Sequence, residues 1–196
     1  MKFYPILFSF SLLMVLGACH DSSVEKVSSE PVPEATAALD YLELGKAAVA
    51  QAQGVLASNL MTAIKAKGTV HAIQFCNIKA LALTDSVANA VHTQLRRVSD
   101  RPRNASNQAN EDELAYMALM QAEGKYAPKV SEINGSMVGY YPILTNAMCM
   151  QCHGKKDTDI APITAQALAK LYPMDKATGY APDELRGLWV AIMNKK

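Results

Sequence analysis

The hydrophobic positions between residues 38 and 67 repeat with the period of a helix. Apolar side chains recur along one face of this segment at Leu42, Val49, Leu56, Leu60, Ala63 and Ile64. Such a stripe predicts one long amphipathic helix, which Gly68 should end. A second apolar stretch, residues 73–83, predicts a further helix immediately after that glycine.

Downstream of this helical region the pattern changes. Residues 91–98 alternate between two faces, which predicts a half-buried strand, and residues 185–193 predict a final strand around Trp189. Asn134-Gly135 is a strong hairpin signal and should join strands at 129–133 and 136–141. Asn110 and Glu113 form a capping-box pattern that opens a helix ending at Gly124, and residues 162–172 predict a short helix. Helices placed before and between strands that can pair antiparallel predict an α+β fold.

The N-terminus has the pattern of an export signal. One basic residue precedes an apolar run at residues 3–15, and Leu-Gly-Ala then leads directly into Cys19. This resembles the lipobox of bacterial lipoproteins, in which cleavage before the cysteine is accompanied by its acylation. An ordinary signal peptide or an uncleaved anchor are the alternatives. The predicted organisation is a signal at 1–18, a lipidated Cys19 with a Ser-, Glu- and Pro-rich tether to residue 37, and one domain at 38–196. His20 after the cysteine favours the outer membrane by the bacterial sorting rule, with the domain on the periplasmic side.

Composition excludes several classes of function. The chain has 196 residues, of which 50% are hydrophobic and 19% charged, as expected for an ordinary globular domain. Lys and Arg total 19 against 18 Asp and Glu, so there is no basic excess of the kind that marks nucleic-acid binding. Four cysteines are too few for a disulfide scaffold of this length. The positions of the cysteines therefore carry the functional signal.

Residues 149–153 form the motif C-x-x-C-H, with thiols at Cys149 and Cys152 and an imidazole at His153. This is the attachment signature of c-type haem. Two thiols at this spacing can add to the two vinyl groups on one porphyrin edge, and the adjacent histidine becomes an axial iron ligand. A thioredoxin-like dithiol would require a βαβ pattern, a zinc site would require a second ligand pair, and a disulfide would close a strained loop. The motif predicts one covalent haem c with its iron.

A haem iron held by His153 needs a sixth ligand or an open position. The candidates are Cys76, His71, His92, Met137, Met148, Met150 and Met174. Met148 and Met150 are too close to the attachment site to reach the opposite face. Cys76 is the cysteine left over after Cys19 and the motif, and it could be a buried small hydrophobe, bridge two chains or ligate iron.

Four segments, in order, resemble a family of monohaem c-type cytochromes on a PAS-like domain, catalogued largely as a domain of unknown function. The segments are A-I-Q-F-C at 72–76, R-V-S at 97–99 with Arg103-Asn104, Asn107 and Glu113, Y-P-I at 141–143 before the motif and Gly154, and Gly179-Tyr180 with L-R-G at 185–187. The resemblance covers about residues 40 to 194. Alanines at 105 and 109 replace two prolines of the family pattern.

The resemblance implies a PAS-like antiparallel sheet with a long N-terminal helix and helices flanking the covalent haem. It also implies that Cys76 and His153 are the two axial ligands. Arg97 and Arg103 could clamp the haem propionates, because guanidinium matches carboxylate geometry, or could be solvated loop charges.

These features predict an exported, membrane-anchored cytochrome for low-potential electron transfer or redox response, since thiolate ligation stabilises Fe(III). With both axial positions filled there is no substrate site, so we expect no enzymatic activity. The electron-transfer partner would be a protein, and the oligomeric state is left open. The alternatives are a haem-based redox or gas sensor acting through a partner protein and a small peroxidase with an open sixth position.

The lipobox predicts that Cys19→Ala releases or mislocalises the domain, because acyl chains on this residue would supply the membrane anchor. Fractionation of the producing cells measures the change, and the absorption spectrum should be that of the wild type. Unchanged membrane fractionation of the variant would contradict lipidation at Cys19.

Overall fold

The computed structural model describes residues 34–195, with side chains from residue 40 onward. The predicted signal peptide, Cys19 and residues 20–33 of the tether lie outside the described residues, so the statements made about them stay predictions. Within residues 34–195 no helix is both long enough and apolar enough to cross a membrane.

The first helix, α1, runs from Glu34–Ala90 and is broken at one point. Lys67 and Gly68 leave the helical conformation there, and Gly68 has φ 76°, a left-handed value that glycine adopts without steric cost. The break divides α1 into an N-terminal arm, residues 34–66, and a C-terminal arm, residues 69–90. The predicted stop at Gly68 and the helical character of residues 73–83 are both confirmed.

Four strands form one antiparallel sheet in the order β1-β4-β3-β2, namely β1 Gln94–Val98, β2 Lys129–Ile133, β3 Ser136–Leu144 and β4 Leu185–Asn194. The hairpin at Asn134 and Gly135 is confirmed, with φ values of 51° and 76° that suit a type I′ turn. The predicted start of β1 at residue 91 is wrong by three residues. Val91 and Thr93 instead donate their N–H groups to carbonyls of Val87 and Ala88, so this stretch finishes α1.

The shorter helices lie between the strands: α2 Glu111–Glu123, α3 Met150–His153 and α4 Pro162–Leu171, with single 3₁₀ turns at Ala105–Asn107 and Ala147–Cys149. The capping box is confirmed, since Asn110 and Glu113 exchange two hydrogen bonds of 2.9 Å. Glu113 is fully buried and also pairs with Arg96, which agrees with a structural role for this carboxylate.

The two faces of the sheet carry separate cores, as the period-two alternation of a strand requires. Along β4, Trp189 and Ala191 face α1 and pack with Ala48, Val49 and Ala52 of its N-terminal arm and with Val87 and Ala88 of its C-terminal arm. On the other face, Leu188 and Val190 point toward α2. A third cluster of Ile73, Ile160 and Leu168 joins the C-terminal arm to α4. Both arms of α1 therefore pack on the sheet, and the C-terminal arm also packs on α4.

Gly45 allows α1 to approach the sheet closely. A Cβ there would lie 2.1 Å from Tyr141 Oη, and this hydroxyl donates to Leu42 O at 2.9 Å. We therefore expect Gly45→Ala to destabilise the domain by about 1–3 kcal/mol through overpacking. The control is Gly54→Ala on the same helix, where a Cβ meets no atom within 4 Å and should stabilise by about 1 kcal/mol. Urea unfolding measures both, and equal stabilisation by the two alanines would contradict the close approach.

Candidate functional site

Two cavities, of about 310 Å³ and about 170 Å³, lie beside the C-x-x-C-H segment and share lining residues. The shared residues are Leu60 and Cys76 of α1 together with Met148, Cys149 and His153. The larger cavity alone falls at the lower end of the range of about 300–1,000 Å³ that small-molecule and cofactor sites occupy. Cys76 and His153, 77 positions apart in sequence, are thus brought to common cavity walls.

Both arms of α1 contribute to these walls because of the break at Gly68. The N-terminal arm lines them with Gln53, Leu56, Ala57, Leu60 and Ile64, and the C-terminal arm with Ala72, Ile73, Phe75, Cys76 and Ala80. The sheet adds Ile143 of β3 and Trp189 of β4 to the larger cavity. Apolar side chains make up the larger part of the lining, which also holds the three cysteines, His153, the guanidinium groups of Arg97, Arg103 and Arg186, and several neutral polar residues.

The local structure of the motif depends on Asn146. Its Oδ1 accepts hydrogen bonds from the N–H groups of Met148 at 2.9 Å and Cys149 at 3.2 Å, which starts a 3₁₀ turn that continues into α3. The Cys149 thiol donates to the same oxygen at 3.3 Å. Cys149 ends this turn, and Cys152 and His153 follow in α3. All three residues of the motif line the smaller cavity.

The thiols of Cys76, Cys149 and Cys152 are free and partly buried. Burial raises the pKa of Cys76, whereas the nearby guanidinium groups of Arg97 and Arg103 lower it in part. Burial also raises the pKa of Cys152, again opposed by Arg103. Without a metal, both sulfurs are thus held toward the neutral thiol by their apolar surroundings.

The His153 ring can be assigned one tautomer from its contacts. Its Nδ1 lies 2.7 Å from Ala177 O, and because a carbonyl oxygen is only an acceptor, Nδ1 carries the hydrogen. Arg186 Nε lies 3.3 Å from the same nitrogen, and we assign this approach as a cation beside the ring, since the nitrogen already donates elsewhere. Burial, with Arg103 and Arg186 nearby, holds the pKa of His153 well below its usual value. The ring is therefore neutral and keeps a lone pair on Nε2, the form that binds metals.

Residues 172–180, which we call the clamp loop, wrap around the motif. Gly179 N donates to Gly154 O at 2.7 Å and Tyr180 N donates to His153 O at 2.9 Å. Arg101 holds the same loop through the carbonyls of Lys176 and Thr178. The backbone of the histidine and the loop that carries its hydrogen-bond acceptor are thus fixed to each other.

The two arginines predicted to contact the cofactor lie on different walls. Arg103 lines the smaller cavity, but its guanidinium donates to Asp175 Oδ2 at 3.1 Å, to Ala177 O at 3.2 Å and to Cys152 O. Arg97 lines the larger cavity and lies 5.4 Å from the centroid of Trp189. Among the described residues the Arg97 side chain has no hydrogen bond or ion pair partner, so its guanidinium donors stay available to an added anion. Cofactor contact by either residue stays a prediction.

The rival candidates for a sixth ligand lie elsewhere, with one exception. His92 lines a separate groove of about 760 Å³ beside Asp85 and Arg96, while His71 lines neither cavity beside the motif. Met174 is 73% exposed. Met148 shares both cavity walls with Cys76, but its sequence position next to Cys149 keeps it on the side of the motif. Nowhere in residues 34–195 do three or more His, Cys, Asp or Glu side chains form a group that could hold a bare metal ion.

Several residues of the site received no predicted role, although Ser99 and Arg186 lie in segments of the family resemblance. Asn146, Asp175 and Arg186 each orient part of the motif, and Ser99 accepts from Arg186 Nη1 at 2.8 Å. An asparagine three residues before Cys149 is a capping signal that could have been found in the sequence. Ala177 contributes only its backbone N–H and C=O groups, and no residue pattern marks such a role.

The chain was compared with protein families, curated proteins and solved structures. The profile of the Tll0287-like family, described as Tll0287, matches residues 19–194. A solved structure described as "Crystal structure of the cyanobacterial heme-protein Tll0287" is similar at a TM-score of 0.60 and 19% identity, over 79% of this chain and 96% of that chain. At that identity the likeness shows the fold. No curated protein matches the chain.

Proposed function

Because the chain belongs to the Tll0287-like family, we propose that it is a monohaem c-type cytochrome with covalent attachment at Cys149 and Cys152. The single observation that carries this proposal is the placement of the C-x-x-C-H segment against apolar cavities that also contain Cys76. The similar cyanobacterial protein is described as a heme-protein, which supports the same cofactor here.

The residues present fit this cofactor by their chemistry. Cys149 and Cys152 are free thiols at the required spacing, and His153 has its Nε2 lone pair available because Nδ1 donates to Ala177 O. Leu56, Leu60, Ile143 and their neighbours supply the apolar surface that a porphyrin buries. Arg97 supplies unpaired guanidinium donors that suit a propionate.

In this arrangement each side chain has a separate task. His153, oriented by Ala177 O, would hold the haem iron through the lone pair on Nε2. Cys76, carried to the cavity by the C-terminal arm of α1, would supply the second ligand. A bound haem supplies a one-electron couple, and a thiolate ligand biases such a couple toward the oxidised state.

The proposed role is therefore low-potential electron transfer or redox response by a membrane-anchored protein on the periplasmic side. Two filled axial positions would leave no place for a substrate, which supports a carrier over an enzyme. The partner would be a redox protein.

Covalent attachment predicts that colour stays with the protein after acid–acetone extraction and that mass spectrometry finds one haem per chain. Cys149→Ala with Cys152→Ala should abolish the covalent product, because no thiol of the motif is left to form a thioether. Colour that moves into the solvent from the wild type would contradict c-type attachment.

Ligation by Cys76 predicts a low-spin ferric EPR signal of thiolate type. Cys76→Ala should remove that signal while haem stays attached, and Cys76→Met should raise the midpoint potential, because a neutral thioether does not stabilise Fe(III). We expect a change that is only a fraction of the ~0.8 V that axial ligands span, since burial of the haem is unchanged.

The control for this test is His92→Ala, because His92 lies on a separate groove and should leave the spectrum unaltered. A spectrum that changes in His92→Ala but not in Cys76→Ala would show that the ligand is misassigned. Carbon monoxide binding by the wild-type ferrous protein would favour a gas sensor, or a peroxidase with an open position, over a carrier.

A further inference from the structure

A closed network of hydrogen bonds connects His153 to a buried ion pair. His153 Nδ1 donates to Ala177 O at 2.7 Å, and Ala177 N donates to Asp175 Oδ1 at 2.8 Å. The other carboxylate oxygen, Asp175 Oδ2, accepts from Arg103 Nε at 3.1 Å. Arg103 Nη2 then returns to Ala177 O at 3.2 Å and also reaches Cys152 O. Both polar groups of Ala177 are thus held by one ion pair.

The network is shielded from water. The side chains of Arg103 and Asp175 are 13% and 7% exposed, and Ala177 is 0% exposed. Because the bonds are buried and each group has a fixed partner, rotation of either peptide group that flanks the Ala177 Cα would leave polar groups unsatisfied, which is costly in the interior. The carbonyl that faces His153 is therefore held in one orientation.

We propose that Arg103 and Asp175 are positioning residues for His153, which fix the Ala177 carbonyl as the acceptor of the Nδ1 hydrogen and so set the donor strength of Nε2. A hydrogen-bond acceptor behind a ligating imidazole fixes the ring and raises its basicity. The inference rests on the proposed function, since it concerns His153 as an iron ligand. It gives Arg103 a task distinct from binding a propionate.

Arg101 provides a matched comparison within the same structure. It also holds the clamp loop, through the carbonyls of Lys176 and Thr178, but it makes no bond to Ala177 or Cys152. If the arginines only anchored the loop, substitutions at the two positions would act alike. Lysine retains the positive charge at both positions and loses the forked geometry, so Arg103→Lys and Arg101→Lys differ in the bonds lost rather than in charge.

The experiment measures the ferric EPR signal and the midpoint potential of wild type, Arg103→Lys and Arg101→Lys, each after its covalent haem content is determined. In Arg103→Lys the imidazole loses its fixed acceptor and donates less strongly to Fe(III). We expect an altered EPR signal and about a tenfold shift of the Fe(III)/Fe(II) equilibrium toward Fe(II), which is about 59 mV for one electron. The Fe(III)/Fe(II) equilibrium of Arg101→Lys should stay within about twofold of that of the wild type.

Asp175→Asn is the second variant, because it places a donor against Arg103 Nε and breaks the pair from the other side. It should alter the EPR signal as Arg103→Lys does. The midpoint potential of the double variant should shift only slightly more than that of the more strongly shifted single variant, since both residues act through one network. If Arg103→Lys does not fold, Asp175→Asn provides the same comparison against Arg101→Lys.

The wild type provides a measurement that needs no variant. Proton ENDOR of the ferric protein transferred into D₂O should show a histidine Nδ1 hydrogen that exchanges slowly, because Ala177 is buried. Haem present with an unchanged EPR signal and potential in both Arg103→Lys and Asp175→Asn, or equal effects in Arg101→Lys, would overturn the positioning role. Absence of covalent haem from the wild type would instead overturn the proposed function.

Discussion

The break in α1 at Lys67 and Gly68 is the constraint on which the candidate site depends. A continuous helix would carry residues 69–90 away along the axis of the first arm, because an α-helix advances by about 1.5 Å per residue. With Gly68 at φ 76°, the chain turns, so that Val87 and Ala88 of the second arm join the same sheet-face cluster as Ala48, Val49 and Ala52 of the first. The second arm also packs on α4 through Ile73. Cys76 reaches the cavity walls because the second arm does not continue along the axis of the first.

Partly buried arginines shape the other side of the site. Arg101, Arg103 and Arg186 all lie between β1, the motif and the clamp loop, and most of their acceptors are backbone carbonyls. A charge removed from water must be hydrogen-bonded, so each carbonyl that satisfies a guanidinium is fixed in return. The loop has no helix or strand of its own, and its order comes from these bonds. Of these arginines, Arg103 bonds directly to Ala177 O, the carbonyl that faces His153.

Prediction from the sequence succeeded where local chemistry decides the structure. The helix break at Gly68, the capping box of Asn110 and the hairpin at Asn134-Gly135 each depend on residues a few positions apart, and all three are confirmed. The α+β class and the family resemblance are confirmed as well. The start of β1 was misplaced because alternation at residues 91–93 is outweighed by backbone bonds to Val87 and Ala88, which end the preceding helix.

The environment of the motif was beyond sequence reasoning for a physical reason. Its decisive contacts join residues 20 or more positions apart, such as His153 with Ala177 and Arg103 with Asp175, and one of these contacts uses only a backbone oxygen. The composition of the loop gives no sign of which carbonyl will face the ring. The sequence allowed us to infer the chemistry of the side chains. How those side chains are oriented toward each other became visible only in the folded structure.

Arg97 and Cys76 show how far the polypeptide alone prepares Cys76 for its proposed role as a second ligand. Burial lowers the pKa of Arg97 and raises that of Cys76, so each group's surroundings oppose its charged form. The coulombic interaction between them acts in the opposite sense on both, because a thiolate and a guanidinium stabilise each other. Desolvation is the larger cause at both residues, so the unligated pair favours a neutral thiol. A further positive centre in the cavity would favour the thiolate of Cys76, and the ferric iron of the proposed haem would supply one.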